Sequence, residues 1–240
     1  MMKRYSYGLA TIVLLIILWY GFALHIDNRY ILPSPLITFH TFIGLLSVSL
    51  TYKIIFFTLL RLLIAMVIAC VSGVLLGLIA GHVKALDYAL QPIVTTLRTL
   101  PVASIIIIVL ILIGNANALF TIAFLMLFPV IYEATKQGVI TIHSDIKDAL
   151  SLDPYRVLEI IPKIYFPLAM PFIKTALLQS IGLGFKVLVM AEFIDDTPTS
   201  IGSALYHGSI SINYQIVFAW TLIIIIIVSV IEVCVRNIRT

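Results

Sequence analysis

Charged residues are scarce in this chain of 240 residues. Lysine, arginine, aspartate and glutamate make up 11% of it, whereas hydrophobic residues make up 62%. An ordinary soluble domain carries about 25% charged residues, and it needs polar groups to cover its surface. The composition therefore excludes a soluble enzyme, a disordered chain and a nucleic-acid-binding domain. Because basic residues accumulate in cytoplasmic loops of membrane proteins, topology explains the net charge of +4 better than a nucleic-acid partner does.

Cysteines are few, and catalytic motifs are missing. Cys70 and Cys234 both lie in apolar runs, where they offer neither a disulfide framework nor metal-ligand spacing. The five histidines are scattered along the chain. The sequence contains no phosphate-binding loop, no zinc-protease motif and no nucleophile elbow. We therefore expect a protein that is not an enzyme and that holds no metal or cofactor of its own.

Long apolar runs are what the sequence has in abundance. A helix needs about 20 apolar residues to cross a bilayer, so the chain has room for six spans with short loops. Pro33 and Pro35 forbid a continuous helix through residues 31–42. We predict an all-α integral membrane protein with a single transmembrane domain, 1–240. The predicted spans are 7–26, 54–80, 100–115, 119–132, 166–191 and 214–233, with loops at 82–100 and 192–213 and a longer hydrophilic loop at 133–165.

The basic residues predict how these spans are oriented. With the N-terminus in the cytoplasm, only Arg29 and Lys53 fall in the loops of the opposite side. Ten basic residues then lie on the cytoplasmic side, namely Lys3, Arg4, Lys84, Arg98, Lys136, Lys147, Arg156, Lys163, Arg236 and Arg239. This bias predicts that both termini are cytoplasmic.

Charged residues within the spans are candidates for function. A charge in lipid is costly, so it usually lines a pathway or pairs with another group. Lys186 sits in the middle of the span 166–191, and we hypothesise that it lines a translocation pathway that favours anionic or polar solutes. Arg61 and Glu192 are further pathway candidates. The alternative is structural: an ion pair of Arg61 or Lys186 with Glu192, or a lysine that snorkels to the interface.

The loop 133–165 has the pattern of a docking element. Apolar residues such as Ile146, Ala149 and Leu150 recur there at helical spacing. Asp153 and Pro154 separate two short helices, because proline disfavours the helical state of the residue before it. A helix–turn–helix at the cytoplasmic face has a shape that a partner can grip. The alternative is an ordinary surface loop.

This loop resembles the coupling loop of the permease subunits of ATP-binding-cassette importers. Their signature is Glu-Ala-Ala, followed by a glycine and, further on, by Leu-Pro. Aligned back from Pro167, the signature begins at Asp148, Ala149 and Leu150, and its glycine falls on Pro154. The acid is shortened, the second alanine is enlarged and the glycine is replaced. Proline still breaks a helix where glycine would allow a turn, so the geometry is compatible.

Other strings agree with the resemblance in the same order along nearly the whole chain. They are similar to strings of the permeases for nitrate, sulfonates and taurine. The strings are LPSP at 32–35, LLRLLIA at 59–65, GVLLGLIAG at 73–81, LRTLPV at 97–102 and GLGFKVLVMAEF at 182–193. Glu133, Ala134 and Thr135 imitate the signature at the end of the fourth span, but Gly138 lies one residue too near.

The resemblance implies a subunit of a larger transporter in the prokaryotic cytoplasmic membrane. The chain would form half of a homodimeric pore, and two separate ATPase subunits, which hold ATP and magnesium, would grip its loop. An extracytoplasmic binding protein would deliver a small polar or anionic solute, such as nitrate, a sulfonate, taurine or a vitamin precursor. The alternatives are a stand-alone secondary carrier or channel and a membrane scaffold without a substrate path. Carriers often show inverted repeats and intramembrane acids, and neither is visible here.

Overall fold

The computed structural model describes residues 2–28, 30–114, 117–142 and 160–237. Every regular element within these ranges is helical, which confirms the all-α fold class. The helices are α1 (Met2–Ile26), α2 (Pro35–Leu46), α3 (Ser49–His82), α4 (Lys84–Thr99), α5 (Val102–Ile113), α6 (Asn117–Ile140), α7 (Phe166–Asp195), α8 (Ile201–Ile210) and α9 (Tyr214–Asn237). A π-helical turn, Ile161–Tyr165, leads directly into α7.

Five of the six predicted spans lie in helices that are long and apolar enough to cross a membrane. The five segments are Tyr7–Ile26, Ser49–His82, Asn117–Ile140, Ile161–Asp195 and Tyr214–Val235. The span predicted at 100–115 is shorter than expected: α5 has 12 residues, or about 18 Å, against a hydrocarbon core of about 30 Å. Helices α4 and α5 are bent by 107° at the break between them, and together they form either one broken span or a re-entrant loop. The cytoplasmic placement of both termini stays a prediction.

The predictions of loops at 82–100, 133–165 and 192–213 are wrong in part, because helices extend into all three. Helix α4 fills most of the first, α6 continues to Ile140 in the second, and the third holds the end of α7 and the whole of α8. Mean hydropathy does not reveal α4, because the average over the helix combines an apolar face with a polar one. Leu86, Leu90 and Val94 recur once per helical turn and pack against a buried cluster.

Proline and serine define where α2 begins. The expectation that no helix runs through both Pro33 and Pro35 is confirmed, because Pro35 is the first residue of α2. A proline at this position loses no helical hydrogen bond. The hydroxyl of Ser34 accepts a hydrogen bond from the backbone N–H of Ile37 at 3.4 Å, which caps the helix. The sequence excluded a continuous helix correctly but did not predict the short helix that follows.

The helices form two compact units. The first unit consists of Met1–Phe57 with Glu192–Ser229, and the second of Thr58–Ala191 with Val230–Thr240. Within the first, Trp19 stacks on Phe218 with ring centroids 5.6 Å apart. The prediction of a single transmembrane domain stays a prediction.

Close contact between α3 and α6 forms the core of the second unit. Gly73, Gly77 and Gly81 recur at every fourth residue and place one face of α3 against the end of α6. A Cβ atom added to Gly77 would lie 2.7 Å from the carbonyl oxygen of Tyr132, a distance that real Cβ atoms do not reach. Small residues are therefore required for the two backbones to approach this closely.

Gly77→Ala is expected to destabilise the protein, because the new methyl group meets backbone rather than a flexible side chain. Overpacking of this kind costs about 2 kcal/mol, so the melting temperature in detergent should fall by about 5 °C. Gly44→Ala in α2 is the matched control, since nothing lies within 4 Å of the added atom. An equal melting temperature for Gly77→Ala and the wild type would contradict the close contact.

Candidate functional site

The signature positions of the predicted coupling loop, Asp148, Ala149, Leu150 and Pro154, lie outside the described residues. The structure does describe the two flanks, where α6 ends at Ile140 and the π-helical turn precedes α7. Both flanks contribute to one buried hydrophobic cluster, formed by Leu78, Val139, Ile160, Tyr165, Ala169 and Ile173. The chain therefore leaves this cluster after α6 and returns to it before α7.

Tight contacts fix this base of the loop. A Cβ atom on Gly138 would lie 3.0 Å from the Cβ of Ala169, so α6 and α7 touch closely there. The ring of His82 packs against Tyr165 with centroids 5.4 Å apart. Pro167, the described residue of the predicted signature, is exposed at the second position of α7. Short π-helical segments are frequent at functional sites, and this one joins the predicted loop to α7.

Lys186 lies on an exposed face of α7. The exposed residues of that face are Leu168, Phe172, Thr175, Gln179, Lys186 and Met190, and their spacing places them on one side of the helix. Three of them, Thr175, Gln179 and Lys186, are polar; we call these three the polar stripe. An open groove of about 350 Å³ between α6 and α7 runs beside Thr175 and Gln179. The hydroxyl of Thr175 donates a hydrogen bond to the carbonyl oxygen of Pro171 at 2.9 Å, whereas a charged lysine within a membrane helix usually faces protein or a water-filled cavity.

Glu192 is buried and contacts the start of α8. The residue is fully buried, and its Oε2 accepts a hydrogen bond from the backbone N–H of Gly202 at 3.3 Å. Gly202 is the second residue of α8, whose N-cap is Ser200. A carboxylate next to the N-terminus of a helix is favourable, because the first N–H groups are unpaired and carry partial positive charge. Glu192 therefore holds α8 on the end of α7.

The pathway candidates named from the sequence have different surroundings. Lys186 and Glu192 are six residues apart, so they lie on different faces of α7, one exposed and the other buried. Pro167 precedes Lys186 by 19 residues, about 28 Å along the helix. Arg61 is half-buried on α3. Helix α7 thus carries the base of the loop at one end, the polar stripe along its length and a structural carboxylate at the other end.

Sequence reasoning missed a group of interacting side chains at the end of α6. The Nζ of Lys136 lies 2.9 Å from Oδ1 of Asp87 and 3.0 Å from Oε2 of Glu133. The hydroxyl of Tyr132 donates a hydrogen bond to the same oxygen of Asp87 at 3.2 Å. Only 5% of the Lys136 side chain is exposed. We call Asp87, Tyr132, Glu133 and Lys136 the charge cluster.

The sequence held weak signals for this cluster. Lys136 counted only as a basic residue of the cytoplasmic side, and Asp87 fell in a predicted loop. The spacing of Glu133 and Lys136 is the one at which side chains of a helix interact. The apolar repeat of Leu86 and Leu90 also marks a helix around Asp87. The contact between Asp87 and Lys136, however, joins residues 49 positions apart and depends on how α4 and α6 pack.

These features define an α-helical, multi-pass membrane protein, and comparison with known families gives the family. The profile of the "Binding-protein-dependent transport system inner membrane component" matches residues 73–240. The chain belongs to this family. Its members are transport components of the inner membrane, so the predictions of a multi-pass inner-membrane protein and of a transport subunit rather than an enzyme are confirmed.

Individual relatives agree with the resemblance drawn from the sequence. The chain is 30% identical over 142 residues to the nitrate import permease protein NrtB of Synechocystis sp., a match that covers 58% of the chain and 51% of NrtB. It is 31% identical over 146 residues to the bicarbonate transport system permease protein CmpB of the same organism, covering 59% and 51%. The chain therefore matches about half the length of these two relatives.

A third relative is matched over more of its length. The putative aliphatic sulfonates transport permease protein SsuC of Bacillus subtilis is 24% identical over 197 residues, which covers 80% of the chain and 71% of SsuC. The likeness to permeases for nitrate and sulfonates, inferred from short strings, is thus confirmed.

Glu192→Ala is expected to loosen α8, because the N–H of Gly202 loses a charged acceptor. The loss should be about 2 kcal/mol, the range of a hydrogen bond to a charged group. Hydrogen–deuterium exchange of residues 201–210 should then become faster by more than tenfold. Asp195→Asn, which removes the charge of an exposed carboxylate of the same turn but keeps an acceptor oxygen for the hydroxyl of Thr197, should leave this exchange nearly unchanged. Slow exchange in both variants would refute the role of Glu192.

Proposed function

We propose that this chain is the permease subunit of an ATP-binding-cassette importer, which moves a small anion across the cytoplasmic membrane by alternating access. The observation that carries the proposal is the family match over residues 73–240. The packing at the base of the predicted loop supports it, because a loop that transmits force must be anchored to the helices it moves. Energy and substrate capture come from other chains, namely ATPase subunits that hold ATP and magnesium and an extracytoplasmic binding protein.

The predicted loop is the element on which an ATPase subunit would act. Its gripping surface would include Asp148, Ala149, Leu150 and Pro154, with Pro167 at its base. Both flanks meet in the cluster around Val139 and Tyr165, so a displacement of the loop acts on α6 and α7 together. Closure of the ATPases would switch the pore between its inward-open and outward-open states.

A second copy of this chain would complete the pore. The polar stripe of Thr175, Gln179 and Lys186 is exposed in the single chain, and lipid is an unfavourable neighbour for a lysine and an amide. If the stripes of two copies face each other, these side chains line a water-filled path. The surface of one chain then becomes one wall of a homodimeric pathway.

Small oxyanions are the substrate class we favour. The relatives are named for nitrate, aliphatic sulfonates and bicarbonate, and each of these carries negative charge. A lysine in the pathway lowers the electrostatic barrier for an anion, because the field of a charge is poorly screened away from bulk water. Lys186 is the residue of the polar stripe that supplies this charge.

Reconstitution of the chain with its ATPase and binding protein in liposomes tests the proposed function. The wild-type complex should take up the solute only when ATP is present on the side of the membrane that carries the ATPase subunits. Ala149→Glu or Pro154→Leu should abolish uptake while ATP hydrolysis and membrane insertion persist, because they alter the gripping surface. Unchanged uptake in both variants would refute the proposed docking site. Uptake that needs no ATP would refute the importer and favour a secondary carrier.

Lys186→Met is expected to lower the rate of anion uptake by about tenfold, which corresponds to about 1.4 kcal/mol of lost stabilisation. The variant keeps the length of the side chain and removes its charge, so folding should be retained. Lys174→Met serves as the control, because Lys174 is exposed on α7 outside the polar stripe. Normal uptake by a stably expressed Lys186→Met variant would exclude a pathway role.

A further inference from the structure

We propose that the ion pair between Asp87 and Lys136 makes α4 part of the same rigid body as the end of α6, so that α4 follows the predicted loop during transport. Asp87 is then a positioning residue for the coupling of ATP hydrolysis to uptake. This inference rests on the proposed function and adds a link between α4 and α6 that the family match does not assign. It concerns residues of the second unit alone.

The ion pair joins two helices rather than two turns of one helix. Asp87 lies in the first turn of α4, and Lys136 lies in the last two turns of α6. Their charged atoms are 2.9 Å apart, and Tyr132 of α6 donates a second hydrogen bond to the same carboxylate. One carboxylate of α4 thus holds two side chains of α6.

Burial increases the cost of losing this ion pair. The Lys136 side chain is almost completely enclosed, with 5% exposed, whereas that of Asp87 is 20% exposed. Removing one partner of an enclosed pair is more disruptive than removing one partner of a surface pair. Glu133 also contacts Lys136, at 3.0 Å, but it belongs to the same helix. Glu133 therefore keeps the lysine charge compensated, whereas Asp87 alone links the helices ionically within the charge cluster.

Apolar packing supports the same union of α4 with α6. Leu86 and Leu90 pack against a buried cluster that includes Val94 of α4 and Leu127, Phe128 and Tyr132 of α6. The apolar contacts hold α4 against α6 through close but non-directional packing. The hydrogen-bonded ion pair adds a directional constraint between the same two helices.

The position of the pair connects it to the loop. Lys136 precedes Gly138 by two residues, and Gly138 touches Ala169 at the base of the loop. On the other side, α4 continues into the bend that begins α5. A displacement of the loop base therefore passes from α6 through Asp87 to α4, and from α4 to α5.

The test compares two isosteric changes in the reconstituted transporter. Asp87→Asn weakens the link between helices, and Glu133→Gln weakens only the contact within α6. We expect Asp87→Asn to lower the ratio of solute imported to ATP hydrolysed at least threefold with ATP hydrolysis retained. Glu133→Gln should keep at least two thirds of the wild-type ratio. The exchange Asp87→Lys with Lys136→Asp, made together with Glu133→Gln so that two carboxylates do not meet on α6, restores a pair of opposite charges and should recover most of the ratio.

Each outcome has a separate meaning. If the wild-type complex shows no ATP-dependent uptake, the proposed function fails. If the wild type transports and Asp87→Asn has the same ratio, the inference about the ion pair is overturned. A loss in Asp87→Asn that the charge exchange does not restore also overturns it, because a purely structural defect would behave so. If Asp87→Asn fails to accumulate in the membrane, the exchange variant decides: a recovered ratio supports the ion pair, and a low ratio refutes it.

Discussion

The close contact between the glycine face of α3 and the end of α6 is the constraint on which the second unit depends. Gly73, Gly77 and Gly81 let the two backbones approach to a distance that no larger residue permits. With α3 on one side, the end of α6 meets α7 through Gly138 and α4 through Lys136. Three helices therefore converge on the last turns of α6, immediately before the predicted loop.

This convergence gives a physical basis for the proposed action of a partner chain. A protein with so few charged residues has little surface on which a soluble motor can act, and the predicted loop is its longest hydrophilic segment. Force applied to the loop would reach its two flanks, whose side chains are packed in one cluster, and packed interfaces move as bodies. Helix α7 extends from this anchored end past the polar stripe to Glu192, where a buried carboxylate holds α8. One helix thus carries both the base of the loop and the candidate pathway.

Short strings predicted the family and hydropathy predicted the long spans, because both signals are local features of the sequence. Hydropathy placed α3 and α9 within a few residues and identified α1, α6 and α7. It failed for α4, whose apolar residues are spread over one face, and for the length of α5. It also could not predict the hydrogen bond that Glu192 accepts from Gly202, because the donor is a backbone N–H.

The charge cluster also depends on a contact that local sequence does not reveal. Glu133 and Lys136 are neighbours on a helix, and their interaction follows from spacing alone. Asp87 joins them only because α4 packs along α6, and that packing is a property of the tertiary fold. The signature positions around Asp148 remain predictions from resemblance, since they lie outside the described residues.

A distance measurement on the working transporter tests the central claim, that α4 and the end of α6 move as one body. Spin labels on exposed Gln91 and Ile140, in a background with Cys70→Ser and Cys234→Ser, report the separation of the two helices by electron–electron double resonance. The assembled complex is compared without nucleotide and after trapping with ADP and vanadate, with inhibited ATPase activity as proof of trapping. If the two helices move as one body, the distance distribution is the same in both states. A shift of several ångströms between them would contradict the claim.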